Sequence, residues 1–153
     1  MNISKENFLR KYFVPLLHKL SGDEKGKWGI MNAHQMVEHF ADALQNANGK
    51  LVLPLLNRGE KLSKYREFLM TEEPFEGNIQ NPLIPEGGVP LRKPDIQSAI
   101  NKVQRELNYF FELFEKHPGL KTFNAFFGEL DYKMNVQLLH KHAMHCLKQF
   151  GLS

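Results

Sequence analysis

The stretch "PDIQSAINKVQRELNYFFELFEKHPG", residues 94–119, places apolar side chains at Ile96, Ile100, Val103, Leu107, Phe110 and Phe114. The steps between them alternate between four and three, which lines one face of an α-helix and no face of a strand. Pro94 suits the start of such a helix, and "HPG" stops it. A long, narrow apolar seam of this kind belongs to a helix packed among other helices, and it predicts one over 95–116.

Working outward, four more segments read as helical. Residues 5–20 carry Phe8, Tyr12, Phe13, Leu16, Leu17 and Leu20 at helical spacing, with Pro15 expected to bend the element. Asn32 followed by Gln35 has the form of a capping box, and Asn48 or Gly49 can close the helix it opens, predicted over 32–48. "EKLSKYREFLM" gives a short helix over 60–70. Asp131 can cap a last helix running to about Phe150, with Gly151 as its stop signal, so 131–150 is the fifth. Between the short helix and the 95–116 helix lies "PFEGNIQNPLIPEGGVPLRKP", a proline- and glycine-rich connection. Four substantial helices with one long crossover describe an all-α four-helix bundle, a single domain over residues 1–153.

At 153 residues the chain is long enough to bury a substantial core. Its one cysteine excludes an internal disulfide, and nothing at the N-terminus resembles a signal peptide, so a cytoplasmic location is the expectation. The apolar runs fall far short of the roughly 20 residues needed to span a bilayer, which argues against a membrane protein. Twenty Lys and Arg are scattered among 17 Asp and Glu, giving a net charge of +3 without a basic stripe, so nucleic acid is not an expected partner.

"LLHKHAMHCLKQFG" (138–151) gathers His140, His142, His145 and Cys146. At about 100° per residue, Cys146 falls in the buried stripe of the last helix with Leu139 and Ala143, and His142 lies one turn before it. His145 and Gln149 sit towards one flank and His140 on the other. On the second helix His39 points inward between Met36 and Ala43, whereas His34 shares an outward face with Glu38, Asp42 and Gln45. A lone inward histidine is more often a hydrogen-bonded core residue, and a lone helical cysteine a small buried apolar group. Three such groups together would each need a partner, and a pair at i and i+4 plus a third donor from another helix is how bundles hold metal ions. Geometry alone leaves both readings open.

Two segments carry a likeness to known proteins. "WGIMNAHQMVEHF" (28–40) and "GELDYKMNVQLLHKHAMHCLKQFG" (128–151) resemble the signatures of the DinB/YfiT-like superfamily of metal-binding four-helix bundles. The likeness is nearest to an uncharacterised subfamily with Trp-Gly before the second helix, "QM..EH" within it and a terminal "H..HH..QFG". In that superfamily one histidine of the second helix and two of the last bind a divalent metal, commonly zinc or nickel. The resemblance places the first two ligands at His39 and His142. At the third position this chain has Cys146 in place of histidine, a departure that leaves three outcomes: ligation by Cys146, since thiolate is a good zinc donor; substitution by His145; or a degenerate site without metal.

The resemblance further implies a metal-dependent enzyme acting on a small-molecule substrate, in which an open position on the ion activates a low-molecular-weight thiol or a water for transfer or hydrolysis. Gln149 is placed to orient a ligand or bound water, or simply to bridge elements; Glu38 reads as surface charge. Homodimers are common in the superfamily, and the aromatic surplus on the first and third helices suits one. The other reading is a non-catalytic ligand-binding or structural bundle. "TFNAFFGELDY" and the loop from Phe75 to Leu91 could line a ligand mouth or cap the end of the core.

Overall fold

The computed structural model describes residues 3–75 and 90–152, and the chain is mostly helical. Its elements in order are α1 (Lys5–Asn7), a π-helical segment (Phe8–Tyr12), α2 (Phe13–Leu17), α3 (Ala33–Ala47), α4 (Gly59–Leu69), α5 (Ile96–Lys116), β1 (Thr122–Asn124), β2 (Gly128–Leu130) and α6 (Tyr132–Gln149).

The first three form one helical rod. Ser4 opens it by accepting the Asn7 N–H at 3.1 Å. The irregularity expected at Pro15 lies one turn earlier, where the Phe13 N–H bonds to the Phe8 carbonyl across a π turn. Proline has no N–H to offer the carbonyl four residues back, so the ladder around it is already incomplete. The rod stops at Leu17 rather than Leu20, because Lys19 and Leu20 bond back only three residues, to Leu16 and Leu17, and wind the end tight.

Local chemistry fixes the other boundaries. Asn32 Oδ1 accepts the Gln35 N–H at 2.8 Å while Gln35 Oε1 accepts the Asn32 N–H at 2.9 Å, a complete capping box on α3. Asp95 caps α5 through the Ser98 N–H at 2.7 Å, and Asp131 caps α6 through the Met134 N–H at 2.9 Å. At the far end of α6, Gly151 has φ +76°, its N–H bonds to Lys148 O, and the Leu152 N–H bonds to Leu147 O at 2.7 Å. These paired bonds are a Schellman stop, open only to a residue that tolerates left-handed backbone.

α3 packs most extensively on α5 and also lies against α6, while the N-terminal rod touches both α5 and α6. The seam read at Ile100, Val103, Leu107, Phe110 and Phe114 is buried, meeting Phe13, Met36, Phe40, Leu44, Leu139 and Ala143 in one core. Phe13 and Phe40 pack with tilted rings at a centroid distance of 4.7 Å across the rod and α3. A second, smaller core forms from Leu69, Phe127 and Leu130, with Phe75, Phe126, Met134 and Leu138 packed on it.

The β1–β2 hairpin is the departure from a purely helical expectation. Thr122 faces Leu130, Phe123 faces Glu129 and Asn124 faces Gly128. Its turn is built by Asn124, whose Oδ1 accepts the N–H groups of Phe126 and Phe127 at 2.8 and 3.1 Å. Two phenylalanines of "TFNAFFGEL" serve packing: Phe127 is buried under α4 in the smaller core and Phe126 packs on it. Most of the loop from Phe75 to Leu91 falls outside the described residues.

Buried asparagines tie the hairpin to the helices. Asn46 Nδ2 donates to Leu51 O at 2.9 Å and Phe123 O at 3.0 Å, and its Oδ1 accepts from Asn124 Nδ2 at 3.0 Å. Asn135 Nδ2 donates to Thr122 Oγ1 and Leu130 O, and Thr122 Oγ1 donates to Ala47 O at 2.8 Å. Asn46→Ala strands two carbonyls and an amide, and should cost about 2 kcal/mol of stability. Urea denaturation read by circular dichroism checks this; a loss under about 0.5 kcal/mol would show that water replaces the side chain.

Candidate functional site

α3 and α6 bring His39 and His142 together. Their ring centroids are 5.3 Å apart, edge to face, and the His142 ring also packs on Phe40 at 4.9 Å. Both imidazoles are partly buried at the margin of the helix contact, beside the core residues Met36, Phe40, Leu139 and Ala143. Burial lowers the pKa of His39, with Asp42 opposing and Arg92 assisting. It lowers that of His142 well below the usual range, and the neighbouring His39 and His145 add to the effect. Both rings are thus neutral at pH 7 and carry a free nitrogen lone pair.

Cys146 lies one turn beyond His142 as expected and is 2% exposed in the apolar core. Burial pushes its thiol up to about 12, so it is protonated at neutral pH. His145 lies on the flank, between the rings of Trp28 at 5.6 Å and Phe75 at 6.2 Å. Burial lowers its pKa, partly offset by a hydrogen bond to the Phe75 backbone. Among the described residues, no group of three or more His, Cys, Asp or Glu side chains is arranged to hold a metal ion. His140 is elsewhere, edge-on to Phe8 at 5.4 Å.

Gln149 is buried and donates its Nε2 to the Trp28 carbonyl at 2.7 Å, bridging α6 to the segment before α3. The Lys27 N–H reinforces this by bonding to Gln149 O at 2.7 Å. A Cβ on Gly26 would stand 2.9 Å from Gln149 Cγ, so the close approach requires glycine there. The packing of Trp28 and Phe75 around His145 was not read from the sequence, although Trp28-Gly29 was among the residues of the quoted motif.

The assignment of His34 and Glu38 to a solvent face is overturned: each is only 6% exposed. The chain entering α5 covers them. Glu38 accepts the backbone N–H groups of Arg92, at 2.9 and 3.1 Å to its two oxygens, and of Lys93 at 2.9 Å, as well as Arg92 Nε at 3.3 Å. The Arg92 fork then grips Asp42 at 3.0 and 2.8 Å. His34 Nε2 stands 3.0 Å from Glu38 Oε2 without the alignment of a directed hydrogen bond. A helical wheel shows which residues share a face and cannot show what later covers it.

α6 also buries two polar side chains that the apolar pattern does not explain. Gln137 Nε2 donates to Leu69 O and Thr71 O at 3.0 and 2.9 Å. Lys141 Nζ donates to Thr71 O at 2.7 Å and to Glu73 O, lying over the Phe68 ring at 4.6 Å. Together they satisfy the carbonyls where α4 ends.

Comparison with protein-family models, curated proteins and solved structures finds no match for this chain. No helix among the described residues is long and apolar enough to cross a membrane.

The pKa of Glu38 is the net of opposed effects: burial raises it, while the Lys93 and Arg92 N–H groups, His34 and the Arg92 guanidinium lower it further than burial lifts it. A depressed folded pKa means that the carboxylate stabilises the fold above its unfolded value near 4.5 and that this contribution is lost as pH falls through the lower folded value. Glu38→Gln should therefore destabilise the protein at pH 7 and flatten the acid limb of its stability curve. Urea midpoints measured from neutral pH to below the unfolded carboxylate range check both; parallel curves for the two proteins would sink the assignment.

Proposed function

We propose that the chain is a DinB/YfiT-like four-helix bundle in which His39 and His142 hold a divalent metal, and that it is a metal-dependent enzyme of the thiol-transferase or hydrolase type acting on a small molecule. One observation carries the reading: two neutral imidazoles from separate helices meet at 5.3 Å between ring centres. Two imidazoles on one tetrahedral zinc, with Zn–N of about 2.1 Å, bring their ring centres to about 5 Å. The packing of the N-terminal rod, α3, α5 and α6 around one core supports the bundle.

The pair fits a metal; the third donor is where this chain departs. Cys146 is adjacent but sits in the core as a thiol, and would have to give up its proton to ligate. His145 keeps one ring nitrogen for the ion if the other holds Phe75. A zinc or nickel ion with an open position would lower the pKa of a bound thiol or water into the neutral range. The chain's own contribution is to keep His39 and His142 deprotonated by burial and to pack Phe40 against the His142 ring, limiting water. Association as a homodimer belongs to the same proposal; Tyr12 on the rod and Tyr109 on α5 are exposed apolar groups suited to it.

The burial of Cys146 in the apolar core favours a second reading, a ligand-binding or structural bundle whose metal site has decayed. Zinc titration by calorimetry and metal analysis separate the two. His39→Ala and His142→Ala should each abolish binding, and His140→Ala should leave it intact. Loss in Cys146→Ala but not His145→Ala names the thiolate as third ligand; the reverse names His145. Failure of the unaltered chain to bind zinc or nickel at neutral pH, with binding gained in Cys146→His, would establish the decayed site instead.

A further inference from the structure

Next to His145, on the helix that carries His142, is a polar group with no partner. The indole Nε1 of Trp28 is sealed from solvent, and no hydrogen-bond acceptor meets it among the described residues. A buried N–H left unpaired in a native fold is unusual, and missing water or ligand is a standard reason for one. Its position is built, not incidental. Gln149 Nε2 holds the Trp28 carbonyl at 2.7 Å, the Lys27 N–H holds Gln149 O at 2.7 Å, and the approach at Gly26 leaves no room for a Cβ. The indole so placed lies 5.6 Å from the ring of His145, which stands three residues along α6 from His142. The clamp spends two hydrogen bonds on the backbone around Trp28 and leaves its one side-chain donor unused.

We propose that the Trp28 N–H is a positioning donor for the histidine site, receiving an acceptor oxygen carried by the bound ligand. The inference rests on the metal reading above and adds a ligand class to it: molecules with a metal-binding thiol or hydroxyl and a carbonyl or carboxylate oxygen a few atoms away. Trp28, His145 and Phe75 then form an aromatic wall against which the carbon skeleton lies. An indole offers one donor and no acceptor, so it selects for an oxygen and against an N–H at that point.

Calorimetry on the zinc-loaded protein tests this with two probes of the same skeleton, 2-mercaptoacetamide and 2-methylpropane-1-thiol, of which only the first carries an acceptor oxygen. The unaltered chain should prefer mercaptoacetamide on the order of tenfold, the worth of one well-made hydrogen bond. Trp28→Phe should erase the preference while retaining zinc. Replacing Trp28 with 3-benzothienylalanine, which keeps the bicyclic ring and deletes only the N–H, should do the same and guards against misfolding of the phenylalanine variant. An equal preference in the unaltered and benzothienyl proteins overturns the proposal while leaving the metal reading standing. Absence of zinc from the unaltered chain, measured first, overturns both.

Discussion

The carboxylate of Glu38 is the joint on which the helical packing depends. It lies on α3, almost sealed from water, and takes the backbone N–H groups of the two residues that lead into α5. A buried charge is tolerated only when its lone pairs are occupied, and here backbone donors, a guanidinium and an imidazole surround it. The result is that the start of α5 is pinned to the middle of α3 before the two helices run together along their apolar seams. That contact is the most extensive among the described elements and sets the face of α3 left for α6, where His39 meets His142.

Polar groups do comparable work at the other end. Asn46, Asn124, Thr122 and Asn135 join the end of α3, the hairpin and the start of α6 through side-chain amides that satisfy backbone carbonyls. Lys141 and Gln137 do so for the end of α4. The apolar core therefore supplies attraction, while a few buried polar side chains decide how the connecting segments lie on it. The histidine site sits between these two frames, on the only face of α6 that carries both an imidazole directed at α3 and one directed at the segment before it.

Local signals were legible in the sequence because local physics sets them. The seam of α5, the Asn32 and Gln35 box, the Asp131 cap and the Gly151 stop depend on residues within one or two turns of each other. The inward placement of His39, His142 and Cys146 followed from the same periodicity. What escaped was tertiary. His34 and Glu38 look solvated on a wheel because the segment that covers them is some fifty residues away in sequence and has no apolar pattern of its own. The hairpin escaped because three-residue strands are too short to show alternation, and its turn is written in one asparagine side chain. The histidine partners Trp28 and Phe75 come from two connecting segments, which periodicity does not describe.

The π turn in the N-terminal rod holds one residue more than a regular helix would need between Phe8 and Phe13. That surplus acts as slack in length. Removing a single residue between Leu9 and Tyr12 would tighten the turn to α geometry, leaving Phe13, Val14 and Leu17 on the core and the Ser4 end where it is. The same deletion inside α3 or α6 would rotate every later side chain by about 100° and part His39 from His142. The rod thus has a negotiable length that neither α3 nor α6 shares, and it lends no side chain to the histidine pair.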